Sequence, residues 1–152
     1  MSAWIDKRRM AAQSSTVPYL LRMHKQMVRR WYEQMWNRWD ESVFEQILDP
    51  DVRLRGSLGP SHQGFQGISD YMRFVRAAFP DFHNRIDLML EEGNYVFARL
   101  TYSGTHTGEL FRIPATGRKI EYAGAALFTF ETGRIADVWV LGDIDNLKRQ
   151  IS

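Results

Sequence analysis

Asp143, Arg99, Tyr122 and His106 are the side chains best suited to acid–base or oxyanion chemistry, because each lies within or at the end of a run that reads as extended strand. Asp143 closes "RIADVWVLGD"; a carboxylate there becomes a useful base if an apolar cavity raises its pKa and it reaches an acidic carbon. The same residue opens Asp143-Ile144-Asp145-Asn146, a good pattern for capping a helix N-terminus. Arg99 lies within "YVFARLTY", where a cation needs a ligand oxygen, solvent or a carboxylate such as Glu121 or Asp137. Tyr122, like Tyr102, is either a phenolic hydrogen-bond donor or a packed ring. His106 stands at the end of "YSGTH", as a ligand contact or a loop hydrogen bond.

Other chemistries lack the residues to run them. Cysteine is absent, which removes disulfides and thiolate metal sites and fits a cytoplasmic location. The histidines at 24, 62, 83 and 106 have no carboxylate partners at metal-ligand spacing, so no metal is expected. There is no nucleophile elbow, phosphate loop or dinucleotide fingerprint, and no cofactor is expected. No stretch approaches 18 apolar residues, which argues for a soluble chain with no membrane partner. Residues 1–30 hold seven Lys/Arg against Asp6 alone, while the remainder holds 13 basic and 17 acidic groups. That basic arm lacks the interleaved aromatics of a nucleic-acid platform, so no nucleic-acid partner is expected.

A chain of 152 residues is sized for one core. Residues 1–18 read as a mobile basic arm and 19–152 as a single domain. From Tyr19 the apolar residues Leu20, Met23, Met27, Trp31, Met35 and Trp39 form one helical stripe. "SVFEQIL" makes a short second helix ended by Asp49-Pro50, and "DVRLRGS" a first strand. Gly56–Gly67 reads as a loop and "ISDYMRFVRAAF" as a third helix stopped by Pro80. Four strand-like runs and a final helical turn or two follow. Helices first and antiparallel strands after make an α+β domain, its helices gathered on one face of a curved sheet. Trp31, Met35 and Phe79 would face Leu54, Tyr122 and Val140 across a pocket, and Gly104, Gly124, Ala125 and Ala126 leave room on the strands. The loop 107–118 would form the pocket's rim. The opposite sheet face, with Ala123, Ala125, Leu127 and Trp139, is apolar enough to expect a homodimer.

Several segments together resemble the SnoaL-like polyketide cyclases: "WYEQMWNRWD", "GISDYMRFVRAAFPDF", "GTHTGELFRIPATGRKI" and "GRIADVWVLGDIDNLKRQI". That family lies within the cone-shaped superfamily of nuclear transport factor two and ketosteroid isomerase. The resemblance implies a mostly antiparallel mixed sheet, three N-terminal helices and an apolar pocket for a polyketide-like carbonyl compound. It also implies cyclisation without a cofactor, by a carboxylate that removes a proton beside a carbonyl. Carried over position by position, the family's acid/base aspartate falls on Val140, its assisting histidine on Ala126 and its first-strand asparagine near Leu54. The expectation is therefore a cyclase or isomerase with a displaced catalytic group, the alternative a small-molecule binding protein that kept the cone and lost the chemistry.

Overall fold

The computed structural model describes residues 23–152; the arm expected over 1–18 lies outside the described residues. The first helix, α1, covers 23–36 and changes character midway. Residues 23–30 are α-helical, whereas Trp31–Trp36 winds as a π-helix, with the Asn37 N–H donating to the Tyr32 carbonyl five residues back (2.8 Å). This turn regroups the aromatic side chains: Trp36 is buried with Trp31, Tyr32 and Met35, and Trp39 is left half-exposed with φ 56°. The regular stripe expected through Trp39 therefore ends at the π turn.

A 3-10 turn, Glu41–Val43, is capped by Asp40, which accepts the Ser42 N–H at 3.0 Å, and runs into α2, Phe44–Ile47. Strand β1, Leu48–Arg55, starts before Pro50 rather than after it. The proline is tolerated because the pairing of β1 with its neighbour shifts register between Leu48 and Arg53, so no ladder bond is asked of its missing N–H. A three-residue strand, β2 (Ser61–Gln63), lies within the stretch expected as loop and pairs with Arg53–Arg55. Gly64, at φ +70°, then turns the chain directly into α3, Gly64–Ala78.

Strands β3 (His83–Glu92), β4 (Tyr95–Thr105), β5 (Lys119–Glu131) and β6 (Arg134–Gly142) follow, with α4, Ile144–Ile151, at the end. The sheet order is β2-β1-β6-β5-β4-β3, antiparallel throughout except for the β1–β6 pair. Among the described residues the helices number four, one more than the three N-terminal ones expected, because the C-terminal turns form α4. Side-chain alternation sends Val96, Ala98, Leu100 and Tyr102 of β4 inward with Tyr122, Ala126, Phe128 and Phe130 of β5. Phe128, fully buried, meets Trp31 and Tyr32 edge-on at ring separations of 5.7 and 5.8 Å. Such a ring contributes about 1.5–3 kcal/mol by its removal from water. This packing seats α1 across the sheet and builds one wall of the cavity between them.

Candidate functional site: a phenol-lined cavity in the cone

The space between α1, α3 and the sheet is largely filled by aromatic rings, leaving a cavity of about 30 Å³. Its wall includes Trp31, Tyr32 and Trp36 from α1, Leu54 from β1, Gly56, Ser57 and Leu58 from the segment after it, Tyr71 and Val75 from α3, Phe82, Asn84 from β3, Tyr102 from β4 and Val140 from β6. That volume suits about two water molecules. No carboxylate, lysine, arginine or histidine is among the lining side chains, so the cavity is electrically neutral.

Two glycines determine where the phenols lie. A Cβ on Gly124 would stand 2.1 Å from Cε2 of Tyr102, and one on Gly56 would stand 2.2 Å from Cζ of Tyr71. The room that the sequence offers on β5 at Gly124 is thus taken by a protein side chain. Tyr71 accepts the Leu58 N–H at 3.1 Å, which leaves its own hydroxyl hydrogen free to donate. The Tyr32 hydroxyl is buried without a partner; Tyr102 lies close enough to ease its ionisation but does not meet hydrogen-bond geometry. Tyr122 packs beside Tyr102 at 5.0 Å, one layer behind the wall, and its hydroxyl near Ser57 is likewise unpartnered.

Burial pushes the phenols of Tyr32, Tyr102 and Tyr122 well above the usual tyrosine range, and raises Tyr71 as well. Neighbouring phenols add to the effect at Tyr102 and Tyr122. All four therefore stay protonated at neutral pH and act as hydrogen-bond donors, not as bases. An unmet buried hydroxyl costs on the order of 1–3 kcal/mol, which a ligand acceptor would recover.

The side chains singled out in the sequence are not gathered in one place. Trp31, Leu54 and Val140 line the cavity, while Met35, Phe79 and Ala126 are buried outside its lining. Asp143 is exposed and caps α4, accepting the Asn146 N–H at 3.1 Å. Arg99 points outward from β4, exposed, in the field of Asp87; Asp137 is paired instead with Arg53 at 3.2 Å. His106 is fully buried beneath the end of α3, against Phe79. Its Nδ1 accepts the Thr116 N–H at 3.3 Å and lies 2.9 Å from Thr116 Oγ1, while its Nε2 is buried without a partner.

The loop 107–118 holds that histidine and fastens to two helices. Thr107 and Gly108 donate their N–H groups to Ala78, Arg118 donates to the Gln150 and Ser152 carbonyls, and Lys148 sits over the Phe111 ring at 4.8 Å. None of its residues lines the cavity. Sequence reasoning missed Tyr32, Tyr71, Trp36, Ser57 and Asn84. Tyr32 and Trp36 fall off the inward stripe under a regular helical period, and Ser57 lies in the segment taken as plain loop. Among the described residues no group of histidine, aspartate and glutamate side chains comes together at a metal-binding spacing. No helix among them is long and apolar enough to cross a membrane.

A curved sheet with helices over an internal aromatic cavity defines the class: a cone-shaped α+β domain of the nuclear transport factor two type. Within that class the chain belongs to the SnoaL-like polyketide cyclase family, whose model matches residues 26–151. A protein of Jannaschia sp. CCS1 assigned to the SnoaL-like polyketide cyclases superposes with a TM-score of 0.80 at 18% identity, over 88% of this chain and 94% of that one. TsrD of Streptomyces laurentii gives 0.75 at 25%, over 86% and 95%. IdmH of Streptomyces antibioticus, a polyketide cyclase by assignment, gives 0.72 at 23%, over 83% and 96%. Among curated proteins the sequence finds no match.

Proposed function

We propose that the chain binds an apolar, polyketide-like carbonyl compound in the cone and polarises its carbonyl oxygen with phenolic hydrogen bonds. The observation that carries this reading is the buried, unpartnered hydroxyl of Tyr32 on the wall of a neutral cavity. Tyr71 and Tyr102 supply further phenols on the same wall, and Tyr122 stands behind them. Donors fixed in a buried, largely apolar site favour an oxygen that gains negative charge, as a carbonyl does on enolisation. Family membership supports a cyclisation or isomerisation of the bound compound. In this reading Val140 takes the place of the family's acid/base aspartate, and the proton beside the polarised carbonyl passes to a water molecule in the cavity while the electrons of its C–H bond stay with the enolate.

A second reading, a binding protein without turnover, is favoured by the absence of any ionisable base among the lining residues. The two separate on one compound. With 1-tetralone in deuterium oxide, the catalytic reading expects protein-dependent deuterium uptake beside the carbonyl, lowered about tenfold by Tyr32→Phe, the loss of one hydrogen bond of about 1.4 kcal/mol. The binding reading expects ligand-induced quenching of tryptophan fluorescence with no uptake above buffer. Absence of both would remove the carbonyl site altogether.

The outer sheet face is proposed to pair with a second copy of the chain. Leu88, Leu90, Tyr95, Phe97, Leu127, Trp139 and Leu141 stand exposed there on neighbouring strands, an apolar band of the kind that marks an association surface.

A further inference from the structure

A cavity of about 30 Å³ admits water but no bicyclic ketone, so ligand binding in the cone requires a wall that moves. We infer that this wall is the π-helical turn of α1, Trp31–Trp36, which opens by reverting to α-helical register. The inference rests on the cavity being the ligand site.

The geometry singles out this turn. At an α-helix's roughly 100° per residue, Trp36 would lie about 140° around the axis from Trp31; a π turn brings it to within about 50°. The π register is therefore what holds Trp36 inward against Tyr71 and Phe82, at 5.7 and 6.3 Å. It also aims Asn37 at β3. There Asn37 Oδ1 accepts the N–H of Asn84 at 2.8 Å and its Nδ2 at 3.0 Å, while Asn37 Nδ2 donates to the Asn84 carbonyl at 3.0 Å. Reversion to α register would swing Trp36 off the wall and break all three bonds at Asn84, which itself lines the cavity.

Both flanks localise the motion. The N-terminal half of α1 is anchored where His24 meets Glu91 at 3.2 Å, both side chains nearly buried, with the His24 ring stacked on Phe130 at 4.1 Å. Beyond the turn, Trp39 is held at positive φ by the bond from its indole N–H to the Pro80 carbonyl (3.2 Å) and by Arg76 over its ring (5.4 Å). A bulky residue in the left-handed region is strained, so these two contacts are what keep it there. The turn is thus held at both ends.

Two variants move the gate in opposite directions. Asn37→Ala removes the clasp. Deletion of Glu33, an exposed residue whose contact is an exposed pair with Arg29 at 3.9 Å, removes the extra residue. A continuous α-helix then returns Trp36 and Asn37 to nearly their present faces, so the clasp survives while the alternative register is lost. Amide hydrogen exchange read residue by residue should show 35–40 opening locally in the wild type, at least about tenfold faster than the amides of α3. The rate should rise about tenfold more in Asn37→Ala and fall to that of global unfolding after deletion of Glu33. Stopped-flow association of 2-naphthol should follow the same order. Exchange of 35–40 only by global unfolding in the wild type, or equal association rates in all three proteins, would overturn the gate. Local opening in the predicted order without any 2-naphthol binding would uphold the moving turn and count against the carbonyl site.

Discussion

Along β5 the even-numbered residues Tyr122, Ala126, Phe128 and Phe130 are buried beneath the helices, whereas Ala123, Ala125 and Leu127 look outward beside Trp139 and Leu141. Both faces are rich in apolar side chains, but they differ in how polar atoms are distributed. Inside, aromatic rings carry hydroxyls that end near one another around a small space. Outside, Leu88, Leu90, Phe97, Leu127 and Leu141 form an apolar band interrupted by Arg99, which stands between Leu88 and Ala125, and the network of Arg85, Asp87 and Thr101 lies to one side of it. Polar tips turned towards each other suit a small guest with an acceptor oxygen. A broad, mainly apolar surface with a few charges among its side chains suits another protein surface.

The sharpest way to break this contrast is to enlarge one small side chain on each face of β5. Gly124→Ala drives a Cβ into the Tyr102 ring and is expected to cost about 3 kcal/mol. Thermal unfolding should then fall by several degrees, at roughly 2–4 °C per kcal/mol for a domain of this size. Ala125→Val, one residue along and facing outward, should stay within about 0.5 kcal/mol. Equal losses at both positions would mean that the inner face is no more tightly packed than the outer.

Next in size is the outer face itself. Trp139→Glu, opposite Leu127 across the β5–β6 pair, is expected to weaken self-association at least about thirtyfold, on the order of 2 kcal/mol. Sedimentation velocity over a concentration series measures this. A wild-type protein that remains monomeric at high concentration would leave the exposed band without its proposed partner.

The smallest effect separates the faces by pH. Folded pKa values of Tyr32, Tyr71, Tyr102 and Tyr122 lie above their unfolded ones, so their contribution is intact below about pH 10 and declines as pH rises beyond the ordinary tyrosine range. Their tyrosinate absorbance should appear together with unfolding. On the outer face, the hydrogen bonds from Thr101 and then Arg85 hold Asp87 below the usual carboxylate range. Its contribution is present above the unfolded value, about 4, and is lost as pH falls through the folded one. Thr101→Val should therefore blunt the acid side of the stability profile and leave the alkaline side alone.

Alternation made the sheet legible. The run "KIEYAGAALFTFE" marks β5 as it is, Lys119–Glu131, because each residue type agrees with the face it occupies. Gly64 shows where such reading stops. It looks like an ordinary loop glycine, yet its positive φ is what starts α3 four residues before Ile68. The cavity was less legible still. A 3.6-residue period assigns Trp39 to the buried stripe and leaves out Tyr32 and Trp36, since one π turn changes every angular position after it. Nor does local sequence tell that Tyr102 lies over Gly124. That contact runs diagonally between strands and depends on the register that sets Tyr102 opposite Tyr122.

The parallel pairing of β1 with β6 bears on how the protein is made. It sets Leu54 beside Val138, so a wall of the cone formed early in translation waits for partners more than 80 residues downstream. Until the ribosome has delivered β6, Trp31, Tyr32 and Trp36 have no closed chamber to line. Closing a contact of that length is slow relative to the hairpins between β3, β4 and β5, which can zip locally as they emerge. The nascent chain therefore displays its most aromatic segment for much of its synthesis, and chaperone dependence should track the length of that interval.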